Sequence, residues 1–289
     1  MSDHLDHLTN ADVAAVRALA DAAADADGVR PLGEDFLLRL TGDDADHWVI
    51  RESGALVGYA QLAPDGSSEL AVAPEHRGSG HGRSLLTDVR GVRPDVQVWA
   101  HGDLPAARGL ADSAGMVAVR ELLVLGRSLR EDRPAPPALP PGYRARPFVR
   151  GHDDDAVLAI NAAAFAHHPE QGRLDHEGLT ARMDQPWFDA DGLILIEDEG
   201  GTPVAFHWTK VEEESSGTGE VYVVGVHPRA QGRGLGGPLT ELGLAYLAGR
   251  GLRDVILYVE GDNAAALATY ARAGFTRRAV HVMYARGIG

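Results

Sequence analysis

Gln231-Gly232-Arg233-Gly234-Leu235-Gly236 stands between an apolar run and an amphipathic one, an order that suits anion binding. Val221, Tyr222, Val223, Val224 and Val226 are β-branched or aromatic and read as a strand. His227-Pro228 ends it, because proline cannot extend the ladder. Leu239, Leu242, Leu244, Tyr246 and Leu247 then approximate a helical stripe. Strand, glycine turn and helix start together converge free backbone N–H groups, and the helix dipole adds positive potential. Glycine lets a phosphate approach without meeting a Cβ. The lysine of a P-loop is absent, and Gly232, Gly234, Gly236 and Gly237 have the wrong spacing for a dinucleotide fingerprint. Gln/Arg-x-x-Gly-x-Gly/Ala after a strand does fit, at Gln231, Gly234 and Gly236.

That pattern resembles the pyrophosphate-binding turn of the GNAT superfamily of N-acetyltransferases, which grips acetyl-CoA. A glycine-rich connection without a ligand is the bland alternative. Acetyl transfer to an amine needs few parts. A free α-amino group titrates near about 8, so a carboxylate base helps it attack as the neutral amine. The oxyanion needs an N–H donor and the departing thiolate an acid. Glu220 opens the strand, and period-2 alternation puts it on one face with Tyr222 and Val224. Val224, Gly225 and Val226 offer main-chain groups to the pantetheine arm and the acetyl oxygen. The chain contains no cysteine, which favours direct attack in a ternary complex over a covalent acyl-enzyme. The resemblance gives Tyr270 the role of protonating the CoA sulfur. It also extends the cofactor contacts over Gln231, Gly232, Arg233, Gly234, Leu235, Gly236 and Gly237, and over the helix start Asn263, Ala264, Ala265, Ala266, Leu267 and Ala268.

The elements that must hold these residues occur twice. In the first half, helices are expected over 11–26, 34–40 and 105–114, with a further helix through Leu85, Leu86 and Val89. Strands are expected over 47–52, 56–62, 69–72, 96–100 and 116–125. Arg77-Gly78-Ser79-Gly80-His81-Gly82 repeats the turn, 154 positions before Gln231 (231 − 77). Ala114-Gly115-Met116 precedes Ala273-Gly274-Phe275 by 159 (273 − 114). The second half repeats the order: strands over 143–148, 193–198, 203–211, 255–259 and 277–285, with helices over 153–165, 175–183 and 264–273, the last capped by Asn263. This implies an internal duplication. The expected fold is α/β (α+β): two tandem GNAT-like acyl-CoA N-acyltransferase domains, each a mixed central sheet flanked by helices. The expected division is 1–130, a proline-rich linker over 131–142 and a catalytic domain over 143–289. Leu70, Ala71, Val72, Gly78, Ser79, Gly80, His81, Gly82 and Arg83 are the matching cofactor contacts of the first half. Tyr270 corresponds there to Ala111, which has no proton to give, so that half is expected to keep a CoA-like pocket without catalysis.

A chain of 289 residues with 44% hydrophobic side chains can bury two cores. Its formal charge of −15 argues against nucleic acid or an anionic membrane as partner. Neither a leader segment nor a membrane-spanning run is recognised, and a cytoplasmic monomer is expected. Of 27 basic residues only Lys210 is a lysine, which reflects either a need for a compact ammonium or the chance of an arginine-rich coding bias. His167, His168 and His207 lack the spacing of a metal site, and no metal is expected.

Within the superfamily the chain resembles the mycothiol synthases, tandem-GNAT enzymes of actinobacteria. Asp27-Gly28-Val29 with Gly33-Glu34, Trp99-Ala100-His101-Gly102, and Asn161 to Ala166 with His168 to Gly172 carry the likeness. So do Trp187-Phe188-Asp189, Asp191 to Leu195, Phe206 to Lys210, Gly219 to Val223 and Leu257 to Glu260. The resemblance implies acetyl transfer from acetyl-CoA to the cysteinyl amine of 1-D-myo-inositol 2-(L-cysteinylamino)-2-deoxy-α-D-glucopyranoside. It assigns acceptor contacts to Glu34, Glu170, Lys210, Glu220 and Tyr258. A GNAT enzyme for another amine (an aminoglycoside or a protein N-terminus) and a non-catalytic acyl-CoA-binding regulator remain open at this point.

Overall fold

A computed structural model describes residues 2–130, 134–166, 171–212 and 216–287. The chain forms two compact units, Met1–Leu122 with Ala279–Gly289, and Leu123–Arg278. In chain order the first half gives β1 (Asp3–Leu5), α1 (Asn10–Asp27), α2 (Glu34–Arg39), β2 (Asp46–Glu52), β3 (Ala55–Leu62), β4 (Ser67–Val72), α3 (His81–Val92), β5 (Gln97–Ala100), α4 (Pro105–Ser113) and β6 (Met116–Ser128). The second gives β7 (Arg144–Pro147), α5 (Asp154–Ala164), α6 (His176–Met183), β8 (Leu193–Glu197), β9 (Pro203–Lys210), β10 (Thr218–Val226), α7 (Gly236–Gly249), β11 (Asp254–Glu260), α8 (Ala264–Arg272) and β12 (Thr276–Arg286). Each expected helix and strand has its counterpart here. β1 was not foreseen; three residues are too few to show a period.

Local chemistry sets the element ends. Thr9 and Asp12 form a capping box at the start of α1, and Gly28 ends it with φ 70°. Asn263 caps α8 by accepting from the Ala266 amide at 3.1 Å.

The strand order is β1-β2-β3-β4-β5-β12 in the first unit and β7-β8-β9-β10-β11-β6 in the second. β4 and β5 run parallel, as do β10 and β11. β6 crosses from the first unit to the second after Leu122, and β12 returns after Arg278. β12 pairs with β5 through Val282↔Ala100 and Tyr284↔Val98. Each unit thus takes its sixth strand from the other half of the sequence. The division therefore falls inside two strands, where the sequence suggested the proline-rich stretch 131–142. Of that stretch, 134–142 has neither helix nor strand, and 131–133 lies outside the described residues.

In the first unit α1 and α3 pack Val16, Leu19, Leu85 and Leu86 around the fully buried Tyr59. The second unit has a core on each face of its sheet. Val157, Ile160, Leu179 and Met183 from α5 and α6 meet Phe206 and Trp208. Leu244 and Leu247 of α7 meet Val221, Val255 and Leu257. Burying each such side chain is worth about 1.5–3 kcal/mol.

Candidate active site

In the second unit β10 and β11 pair from Thr218↔Asp254 to Val221↔Leu257, and pairing stops there although both strands run on. Parallel strands that part towards their C-terminal ends leave peptide groups facing the gap, where an extended ligand can supply the missing bonds. Val224, Gly225 and Val226 lie on that unpaired stretch of β10. The turn follows at once. Gln231 Nε2 donates to the Val226 carbonyl at 3.1 Å, pinning the turn to the strand end. Gly232 and Gly234 have φ of 73° and 77°, which only glycine adopts without strain. A Cβ built on Gly232, Gly234, Gly236 or Gly237 would meet nothing within 4 Å, so the turn faces open space. No side chain caps α7. Its first amides are therefore left for an anion.

The first unit repeats this construction. β4 and β5 pair only through Ser67↔Gln97 and Ser68↔Val98, leaving Leu70, Ala71 and Val72 beyond the paired stretch. Arg77 Nε donates to the Val72 carbonyl at 3.1 Å, over the same five-residue span as Gln231 to Val226. Gly78 and Gly80 have φ of 77° and 89°, and α3 begins at His81. The Arg77 guanidinium also holds Asp27 in two bonds of 2.7 and 2.8 Å. Ala111 lies on α4 and is buried.

Glu220 and Lys210 stand directly opposite each other on β10 and β9. Lys210 is 5% exposed. Its Nζ lies 2.8 Å from Glu212 Oε1, 5.0 Å from the Trp187 ring centre and 5.3 Å from that of Tyr222. A carboxylate and two π-faces offset the desolvation of the ammonium. Trp187 and Trp208 both pack on Tyr222, with centroids 5.1 and 5.3 Å away, and Arg182 Nε donates to the Tyr222 hydroxyl at 2.9 Å. The result is a polar patch with aromatic walls. It suits an acceptor that carries both an amine and hydroxyls.

A β-bulge between Val221 and Val223 corrects the expected alternation. Tyr222 packs in the core with Trp208, as expected for the Glu220 face, but so does Val223. Val224 packs instead with Val221, on the α7 side. The extra residue resets the parity and aims Tyr222 beside Lys210.

Tyr270 sits on α8 with its ring edge-on to Phe275, 5.7 Å between centroids. Burial pushes its phenol up to about 12, so it keeps its proton at neutral pH and can donate it. Tyr258, one residue past the last β10–β11 pair, is 43% exposed. Glu34 begins α2 in the first unit, after Gly33, whose amide donates to Glu69 Oε2 at 2.6 Å. Glu170, with His167 and His168, lies outside the described residues. His207 is fully buried, with Nδ1 donating to the Leu239 carbonyl at 2.9 Å. From β9 it packs against α7.

The sequence reading did not single out Arg182, and it named Trp187, Trp208 and Tyr222 only in separate stretches, because a loop and two strands bring them together. It also placed Tyr246 in an apolar stripe, whereas its hydroxyl donates to Asp189. Arg250 reaches the same carboxylate at 2.7 Å, and this clasp ties the loop after Trp187 to α7.

Residues 159–275 match the Acetyltransferase (GNAT) family, and residues 43–110 an Acetyltransferase (GNAT) domain. The fold is shared with a tandem GNAT protein from the clavulanic acid biosynthesis pathway, with a TM-score of 0.75 at 19% identity, covering 100% of both chains. It is shared also with a GCN5-related N-acetyltransferase from Sphaerobacter thermophilus, with a TM-score of 0.71 at 24% identity over 98% of this chain and 95% of that one. The mycothiol acetyltransferase of Thermobispora bispora is 49% identical over 96% of this chain and 97% of its own. That of Salinispora arenicola is 49% identical over 97% and 95%. That of Catenulispora acidiphila is 47% identical over 95% of each. Two GNAT domains and near-half identity along almost the whole length place this chain in the mycothiol acetyltransferase family.

Proposed function

We propose that the chain transfers an acetyl group from acetyl-CoA to the cysteinyl amine of 1-D-myo-inositol 2-(L-cysteinylamino)-2-deoxy-α-D-glucopyranoside, releasing mycothiol and CoA. The reading rests on family membership and on one structural observation. Glu220 and the aromatic-walled Lys210 face each other one residue before β10 and β11 part. Acetyl-CoA lies with its diphosphate on the Gln231–Gly237 turn and its pantetheine arm along Val224–Val226, against the start of α8. The acceptor is held by Lys210, Glu220 and Tyr258, with Glu34 and Glu170 as the further contacts the family resemblance assigns.

The amine nitrogen attacks the acetyl carbonyl carbon and its proton passes to Glu220, directly or through water. Amides on the unpaired edge of β10 donate to the oxyanion. The C–S bond then breaks, and the sulfur takes the Tyr270 proton. The first unit, with Ala111 in place of that tyrosine, holds acyl-CoA without turnover. The enzyme acts as a cytoplasmic monomer on small molecules. No helix among the described residues is long and apolar enough to cross a membrane.

A CoA-release assay across cysteinyl-glucosaminyl-inositol, cysteine, glucosamine and a peptide tests the proposal. The first should give the highest kcat/KM by a wide margin. A higher value for any other amine overturns the acceptor, and no release with any of them overturns the enzyme.

A further inference from the structure

We propose that the first unit binds a divalent transition-metal ion of the Zn²⁺ class through Glu52, His76 and His81. Glu52 ends β2, His76 closes the short helical turn Pro74–His76, and His81 opens α3. Residues distant in sequence thus bring two imidazoles to one carboxylate. Glu52 Oε2 lies 2.9 Å from His76 Nδ1, and Oε1 lies 3.0 Å from His81 Nε2. The candidate donor atoms all fall within 4.8 Å of one another.

The contact with His81 separates a ligand set from an ordinary hydrogen-bonded pair. Nε2 of His81 is shut off from solvent and makes no hydrogen bond, despite the nearby carboxylate oxygen. The Glu52–His81 contact has the distance but not the geometry of a hydrogen bond, as between two ligands of one cation, whereas Glu52 and His76 do hydrogen-bond to each other. Two imidazoles and a carboxylate with one position left open form a common zinc set. Nitrogen donors of this kind rank Cu²⁺, Ni²⁺ and Zn²⁺ above Mg²⁺ or Ca²⁺. The N-terminus of α3 opposes a cation, and the charge of Glu52 offsets that. The side chains of His76 and Glu52 are 31% and 47% exposed, which gives the ion an entry path.

His4 on β1, Asp6 just after that strand and Asp46 on β2 form a second group and serve as the control. With one imidazole and two carboxylates, it is the poorer set for a transition metal.

The test is calorimetric titration of ZnSO₄ into the full-length protein, with any affinity tag removed and the protein stripped with EDTA. One ion per chain is expected. His76→Asn, His81→Asn and Glu52→Gln should each weaken binding by at least about tenfold, whereas His4→Asn should not. A second reading uses the wild-type protein, so that a misfolded variant cannot obscure the answer. One equivalent of Co²⁺ should shift the ring signals of His76 and His81 before those of the other eleven histidines. Absence of saturable binding, wild-type affinity in His81→Asn and Glu52→Gln, or first shifts at other histidines overturns the site.

Discussion

Glu220 faces Lys210 across the β10–β9 ladder, while Trp187 and Tyr222 stand over the lysine. A carboxylate and a buried cation therefore share one patch on neighbouring strands, which suits the proposed division between activating the amine and holding the acceptor.

Glu220→Gln keeps the shape and removes the base. At neutral pH kcat should fall by about 10²- to 10⁴-fold, and the defect should shrink as pH rises and more amine is neutral unaided. Tyr270→Phe should lose activity at the lower end of that range, because the thiolate is already a fair leaving group. High pH cannot supply an acid, so no rescue is expected, and with its phenol near 12 the wild type should show no loss from Tyr270 ionisation below pH 9. Parallel pH–rate profiles check both; wild-type kcat in Glu220→Gln, with chemistry limiting, removes Glu220 from the mechanism.

The two glycine turns should differ in their bearing on turnover. Gly236→Glu puts a negative charge at the end of the second turn, where φ is ordinary and there is room for a side chain. It should abolish activity. Gly82→Glu, its counterpart 154 positions earlier (236 − 82), should leave much of it. Gly234 and Gly80 are poorer probes, since their positive φ adds strain to any replacement. Steady-state kinetics on variants with wild-type circular dichroism decide the matter. Loss of turnover in Gly82→Glu alone would mean that the halves have been assigned the wrong way round.

Lys210→Ala should raise the acceptor KM by about 10- to 100-fold, the worth of a charge-assisted hydrogen bond. The acetyl-CoA KM should stay nearly unchanged, because Lys210 lies on β9, away from the glycine turn. Varying each substrate in turn gives the answer, and the reverse pattern would refute acceptor binding.

His207 fills the place where Gly243 of α7 lacks a side chain; a Cβ there would lie 2.1 Å from the imidazole. Gly243→Ala should cost about 1–3 kcal/mol by urea denaturation, and adding His207→Ala should return part of it. Burial holds the His207 imidazole down to about 4, against about 6.5 unfolded. A depressed histidine contributes stability that is full above about 6.5 and is lost as pH falls through 4, up to about 3 kcal/mol. His207→Asn should remove that part of the slope between pH 7 and 4.

Much of the molecule was legible from sequence because its signals are local. The turns at Arg77 and Gln231 follow from glycine spacing after a strand, and the cap at Asn263 from its side chain. Residue by residue, Glu220 and Lys210 stood apart as a strand-opening acid and a lone lysine, and only the family resemblance assigned both to the acceptor. Pairing register joined them, and register depends on which strand lies alongside. The bulge at Tyr222 was hidden for the same reason, since one extra residue in a valine-rich run leaves the composition unchanged.

The sequence by itself determined two repeats, their order of elements, the two glycine turns and the alanine, Ala111, that stands where the other half has Tyr270. Each is written in residue type and short spacing, where φ preference, capping and periodicity act. Only the tertiary structure decided which half supplies the last strand of each unit. Ala100 and Val282 are far apart in the chain and meet because β12 completes the edge of β5. Ladder hydrogen bonds are the same for any extended segment. The choice among partners is therefore made by the cores that the strands close, and no local stretch of sequence contains both sides of that choice.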